Sequence, residues 1–158
     1  MLNIEKIKKL REETGISIAL CKKALEQSDN DLPKAKKLLS KWGVEKVKDK
    51  SQRATPQGAI FSYVHHNYKI ASLVELLCET DFVAANKEFQ TLGKEISLQV
   101  VSLPAKSVDE ILKQEYIRDP SKKIVDLINE AIVKFGENIK IGRFTRLELG
   151  NYYGKYNY

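Results

Sequence analysis

Apolar positions in the first fifty residues recur at helical spacing in three short segments. The first segment follows Asn3, which can cap a helix, and stops at Gly15, where glycine can adopt the left-handed conformation. The second follows Ser17, and the third begins near Asp31 and tolerates Pro33 in its first turn. The buried faces are predicted to contain Ile4, Ile7, Leu10, Ile18, Cys21, Ala24, Leu25, Leu32, Ala35, Leu38, Leu39 and Trp42. Because each helix is too short to persist alone, we expect a three-helix bundle.

A different pattern begins after residue 50. Residues 51–57 are polar and contain a proline, which predicts a linker. Residues 59–64 and 70–77 are rich in β-branched and aromatic residues, so we expect two strands joined by a hairpin connection at 65–69. Apolar residues at helical spacing then predict a helix over residues 86–103.

The last third of the chain continues this alternation of helix and strand. Residues 109–112 can form one helical turn, and a longer helix is predicted over 121–135, opened by Asp119-Pro120 or by Ser121. Gly136 breaks that helix, and residues 139–149 alternate between apolar and polar positions as a strand does.

These elements predict an α+β fold with two parts. Residues 1–50 form a three-helix module, and residues 58–150 form a core with a three-stranded antiparallel sheet packed with helices. Residues 151–158 have no apolar spacing and are predicted to be a flexible tail.

Composition limits the class of protein. The chain has 158 residues, 42% of them apolar, which is enough for a hydrophobic core. No apolar run approaches the roughly 20 residues that cross a membrane, and the N-terminus has no signal-peptide core, so we expect a soluble cytoplasmic protein with no membrane partner. Cys21 and Cys78 lie in separate apolar segments, which predicts free buried thiols and no metal or other cofactor.

The positive charge is concentrated at the beginning of the chain. The net charge is +6, and residues 1–50 contain thirteen Lys and Arg against eight Asp and Glu. Such asymmetry is typical of a nucleic-acid arm or of a surface attracted to an acidic protein. A nucleic-acid arm needs aromatic or base-reading side chains among its lysines. This segment offers only Trp42, which shares the spacing of the core positions.

The strand-to-helix corner at residues 80–83 is the strongest candidate site. Burying a phenylalanine is worth roughly 1.5–3 kcal/mol, so Phe82 at a charged turn requires either this protein's core or a partner's pocket. In the first case Asp81 caps the following helix while Phe82 packs back on the sheet, and the residues alone leave both cases open.

No residue pattern indicates catalysis. His65 and His66 are adjacent in a stretch predicted to be extended, so their side chains should point to opposite faces. The sequence contains neither of the glycine-rich motifs that cradle phosphates, so we expect no direct nucleotide binding and no enzyme activity.

Three blocks of the sequence, in the same order, resemble the elongation factor Ts family. They are Leu10–Gly15 with Cys21–Leu25, Leu73–Val83, and Phe135–Ile139 followed by Arg143-Phe144. The resemblance implies a ubiquitin-associated-like N-terminal module and a partner, elongation factor Tu, whose guanine nucleotide the family exchanges.

The same resemblance assigns roles to residues. It implies that Lys8, Lys9, Gly15 and Ile16 dock on the partner's nucleotide-binding domain. It also implies that Asp81 and Phe82 press in near the partner's magnesium and phosphate site, with Thr80 and Val83 shaping the turn. GDP would then leave, and the factor would stay bound until GTP arrives.

The chain departs from longer members of the family. It is short between Pro104 and Lys122 and lacks residues for a second core, so it resembles a minimal form. Short members can act as dimers, and an open sheet edge would allow a homodimer here. Two other functions stay open: a basic RNA- or ribosome-binding module, and a ubiquitin-associated-type adaptor without exchange activity.

Overall fold

The structure is a computed structural model that describes residues 3–151. Its elements in chain order are α1 (Ile4–Thr14), α2 (Ile18–Gln27), α3 (Leu32–Lys50), β1 (Gln57–Val64), β2 (Ile70–Cys78), α4 (Asp81–Ala84), α5 (Lys87–Ser102), α6 (Val108–Lys113), β3 (Glu115–Tyr116), β4 (Asp119–Lys123), α7 (Ile124–Phe135) and β5 (Lys140–Glu148). Within this part of the chain, no helix is both long enough and apolar enough to cross a membrane.

Contacts divide the chain into two compact units. The first runs to Arg53 and also includes Asn129–Asn138, which contains the second half of α7. The second contains Ala54–Ile128 and continues from Ile139. The first unit is therefore built from two separate stretches of the sequence.

The three predicted N-terminal helices are confirmed, as are three of their boundaries. The side chain of Asn3 accepts hydrogen bonds from the backbone N–H groups of Glu5 and Lys6, and α1 ends at Gly15 with φ 67°. Asp31 caps α3 by accepting from Lys34 N at 2.9 Å. The buried cluster of this bundle contains Leu10, Cys21, Ala24, Leu25, Ala35 and Leu39.

Two predicted core positions of the bundle are exposed instead. Ile4 is 69% exposed and Ile18 is 53% exposed. Each is the first residue of its helix, and helical side chains tilt toward the N-terminus, so both project beyond the packed turns. Trp42 is partly buried against the cluster, with Lys23 Nζ 5.3 Å from its ring centroid.

The predicted turn after α7 also anchors the end of α3. Gly136 has φ 72°, which ends the helix, and its carbonyl accepts a hydrogen bond from Lys50 Nζ. The buried Asn138 amide donates to the carbonyls of Arg53 at 2.8 Å and Ser51 at 3.4 Å. This turn therefore holds the start of the predicted linker as well as reversing the chain.

The second unit contains the predicted three-stranded antiparallel sheet, in the order β1-β2-β5. Helix α5 packs across β1 and β2. Phe61 of β1 meets Phe89 of α5 edge-on, with ring centroids 6.2 Å apart, and Ser72 Oγ donates to Ser97 O at 2.8 Å. These contacts join one face of the sheet to the helix.

The opposite face of the sheet is partly apolar and open. Its exposed apolar side chains are Ile60, Val64, Leu73, Leu147 and Leu149. Glu75 and Arg143 form an ion pair there, in which Arg143 Nη2 lies 2.5 Å from Glu75 Oε1. A homodimer through the open edge stays a prediction.

A small hairpin was not predicted. Residues 119–123 form β4, which pairs with β3, whereas the sequence placed the start of a helix at 119–121; α7 begins at Ile124. Gln99 of α5 explains the difference, because its amide donates to Glu115 O at 3.0 Å and accepts from Ile117 N at 3.1 Å. These bonds from a distant helix favour the hairpin over helical geometry. The predicted tail from residue 152 onward lies outside the described residues.

Candidate partner-binding site

The corner after β2 is fixed by hydrogen bonds at its start. Thr80 has extended backbone angles, and its hydroxyl oxygen accepts from Val83 N at 3.4 Å, which caps α4. Cys78 Sγ donates to Thr80 O at 3.1 Å. Asn86 then caps the next helix by accepting from Glu88 N at 2.8 Å. The four-residue helix therefore lies between its own N-cap, Thr80, and the N-cap of the helix that follows, Asn86.

The side chains of this corner divide into an anchor and a protrusion. Val83 is only 9% exposed, while Phe82 is 84% exposed, and Asp81 beside it is also exposed. Phe82 therefore does not pack back on the sheet, and that alternative from the sequence is wrong. The helix is capped by Thr80 and not by Asp81, which is its first residue.

The loop between α1 and α2 is the second predicted site, and it belongs to the first unit. Gly15 is in the left-handed conformation. Thr14 Oγ1 donates to Leu10 O at 2.6 Å and accepts from Ile16 N at 3.4 Å. Cys21 Sγ donates to Ile16 O at 3.5 Å, and burial raises the pKa of this thiol. These contacts fix the backbone of the loop, and the side chain of Ile16 packs against the bundle core.

Basic residues line the exposed side of α1. Lys8 and Lys9 are exposed. Lys36 Nζ lies 2.6 Å from Glu13 Oε2, and this hydrogen bond, with a smaller contribution from the charge of Lys9, lowers the pKa of Glu13. Helix α1 therefore presents the ammonium groups of Lys8 and Lys9 to solvent, while the carboxylate of Glu13 is paired with Lys36.

Sequence reasoning missed one residue of this surface. Ile18 follows the loop directly and is exposed, although its spacing with Cys21 placed it on the buried face. Its position as the first residue of α2 could have predicted this exposure, because at a helix end the side-chain direction does not follow the periodicity of the buried face.

Groups suited to catalysis or metal binding are scarce. Among residues 3–151, no cluster of three or more His, Cys, Asp or Glu side chains could hold a metal ion. The rings of His65 and His66 lie 4.2 Å apart, and Tyr63 Oη is 3.3 Å from His65 Nδ1. The expectation of opposite faces is wrong, because these histidines follow β1 and belong to the turn rather than to an extended stretch.

Comparison with known proteins points to one family. The family model described as elongation factor TS matches residues 79–158. The chain is 38% identical to elongation factor Ts of Thermotoga neapolitana, over 94% of this chain and 98% of the relative. It is 40% identical to that of Leptospira biflexa, over 92% and 96%, and 41% identical to that of Aquifex aeolicus, over 98% of this chain and 55% of the relative.

The alignments are longer than the chain itself. The alignment with the Thermotoga neapolitana protein runs over 192 residues, although this chain has 158, so the relative contains residues without a counterpart here. The match nevertheless extends over nearly all of both proteins. On this evidence the chain belongs to the elongation factor Ts family.

Proposed function

We propose that this chain binds elongation factor Tu and accelerates the release of its GDP. The single observation that carries the proposal is Phe82, 84% exposed on a corner whose neighbour Val83 is buried. A large apolar ring on an anchored turn is suited to a pocket on another protein. Membership of the elongation factor Ts family implies the partner, elongation factor Tu.

The energetics of Phe82 favour a partner. Fully burying a phenylalanine side chain is worth roughly 1.5–3 kcal/mol, and a ring that is 84% exposed obtains little of this in the free chain. That free energy becomes available when a complex forms. Asp81, exposed beside the ring, would bring a carboxylate to the same place. A carboxylate and a ring inserted near a bound magnesium ion would disturb its coordination, and the nucleotide phosphates would lose their neutralising cation.

The exchange mechanism is a coupling between two ligands of the same partner. A factor that binds nucleotide-free partner more tightly must weaken nucleotide binding by the same factor. No covalent step is needed, so the chain would act as an exchange factor without being an enzyme of covalent chemistry. Lys8, Lys9 and the Gly15-Ile16 loop would supply docking contacts.

The test is GDP release from elongation factor Tu, measured with a labelled nucleotide at saturating factor. Phe82→Ala should slow release at least about tenfold, because the ring would act only in the complex. Tyr68→Ala is the matched control, since Tyr68 is an aromatic residue that is 85% exposed. Both variants should keep the melting temperature of the parent within about 2 °C, because neither ring is buried.

Two results would refute the proposal. One is a Phe82→Ala variant that releases GDP as fast as the parent. The other is a complex that stays equally tight at saturating GDP and magnesium, because a coupled factor must be displaced by the nucleotide that it displaces.

The RNA-binding alternative has weaker support. Several lysines of the first unit have partners within it: Lys22 with Glu26, Lys34 with Asp31, Lys36 with Glu13, and Lys23 over the ring of Trp42. A base could stack on Trp42 only by replacing Lys23 and the core contacts of the ring. Salt-sensitive binding of RNA by the chain would favour this alternative.

A further inference from the structure

The second half of α7 packs on the N-terminal helices. A Cβ added to Gly43 of α3 would lie 3.1 Å from Val133 Cγ2, so these two helices touch where the glycine lacks a side chain. Lys50 at the end of α3 donates to the carbonyl of Gly136. Asn129–Asn138 is therefore part of the first unit, although it follows β1 and β2 in sequence.

This packing brings one basic residue to the loop between α1 and α2. A Cβ added to Gly15 would lie 3.5 Å from Lys134 Nζ, 3.7 Å from its Cε and 3.8 Å from its Cδ. The last three atoms of the Lys134 side chain thus lie beside the loop backbone, and the side chain is exposed. Its ammonium group lies at the C-terminal end of α1, where backbone carbonyls carry partial negative charge.

We propose that Lys134 belongs to the docking surface for the partner, together with the Gly15-Ile16 loop and Ile18. This inference rests on the proposed function and adds a residue that lies far from the loop in sequence. The ammonium group beside Gly15 and the exposed Ile18, which follows the loop, fit a partner surface that combines an apolar contact with carboxylates. The first fifty residues contain thirteen basic and eight acidic residues, and this positive net charge also favours an acidic surface on the partner.

The test compares Lys134→Glu, Lys134→Arg and Lys134→Met by calorimetry with nucleotide-free elongation factor Tu. Charge reversal should weaken binding at least about tenfold at 50 mM salt, and the loss should shrink at 500 mM salt because the attraction is screened. Lys134→Arg should bind within about threefold of the parent, since it keeps the charge. At saturating factor, the GDP release rate of all three variants should equal that of the parent, because docking and exchange use different residues.

Lys94→Glu is the matched control, an exposed lysine of α5 whose charge reversal should leave affinity within about twofold of the parent. A purely structural role for Lys134, stabilising the end of α1, would instead lower the melting temperature of Lys134→Met and leave the affinity of the folded variant unchanged. Parent-like affinity of Lys134→Glu at low salt would overturn the inference while leaving the proposed function intact. Failure of the parent to bind the partner would overturn both.

Discussion

Gly93 lies where α5 packs against Phe61 of the sheet. A Cβ at this position would be 2.1 Å from Phe61 Cδ2 and 2.2 Å from its Cε2, far below ordinary van der Waals contact. Phe61 is 8% exposed and meets the fully buried Phe89 edge-on. Gly93→Ala should therefore destabilise the protein, because the ring of Phe61 must move by more than an ångström within a packed core.

The magnitude follows from two opposing effects. Alanine is favoured over glycine in a helix by roughly 1 kcal/mol, whereas overpacking a core costs about 1–3 kcal/mol. Since an approach of 2.1 Å is far below van der Waals contact, the upper part of the overpacking range applies, about 2–3 kcal/mol, and we expect the free energy of unfolding to fall by about 1–2 kcal/mol. At roughly 2–4 °C per kcal/mol for a chain of this size, the melting temperature should fall by about 2–8 °C. Urea unfolding followed by circular dichroism measures the first quantity, and calorimetry the second.

Two further variants test the cause of this destabilisation. Gly43→Ala is the matched control, because its Cβ would lie 3.1 Å from a single methyl of the partly buried Val133, and its stability should stay within about 1 kcal/mol of the parent. In a double-mutant cycle, Phe61→Leu should remove part of the penalty of Gly93→Ala, since the smaller side chain leaves room for the methyl group. Parent-like stability of Gly93→Ala, or strict additivity of the two changes, would refute the packing argument.

Two more predictions concern polar contacts. Asn138→Ala should lower the free energy of unfolding, measured in urea, by about 1–3 kcal/mol, because the carbonyls of Arg53 and Ser51 lose a buried donor. Asn67→Ala, at an exposed site in the hairpin, is the control. Equal effects of the two changes would contradict this role of Asn138. Hydrogen bonds from Arg143 lower the pKa of Glu75 to about 2 from its ordinary value of 4.5, so the stability that this pair contributes is complete above pH 4.5 and is lost as the pH falls toward 2. The stability difference between the parent and Glu75→Gln should shrink over that range and at high salt, and a difference that is independent of pH would contradict the ion pair's contribution.

Local signals were sufficient for most of the elements. Asn3 and Gly15 mark the ends of α1 with a side-chain acceptor and a left-handed residue, which act within one turn of the helix. The alternation of residues 139–149 likewise predicts β5, which the structure places at Lys140–Glu148. Such features depend on a few neighbouring residues, so the sequence shows them directly.

Features that depend on distant residues could not be predicted. The β3–β4 hairpin depends on Gln99, more than fifteen residues earlier, and the segment 119–121 by itself resembles a helix start. The exposure of Phe82 depends on Val83 occupying the adjacent core position, since either residue is apolar enough to be buried. The contact between Lys134 and Gly15 likewise could not be predicted. Only tertiary packing brings this residue of α7 to the loop between α1 and α2.

The discontinuous first unit has a consequence for synthesis on the ribosome. Its three N-terminal helices emerge early, but the bond between Asn138 and Arg53 joins residues 85 positions apart. At roughly 5–20 residues per second, this interval corresponds to about 4–17 s of elongation. The helices must wait for that time with the surface that Asn129–Asn138 will cover still open. Strand β5, which completes the sheet, is synthesised directly afterwards. Both units thus reach their final contacts only after residues 129–148 have been translated, and an interruption before that point would leave both of them incomplete.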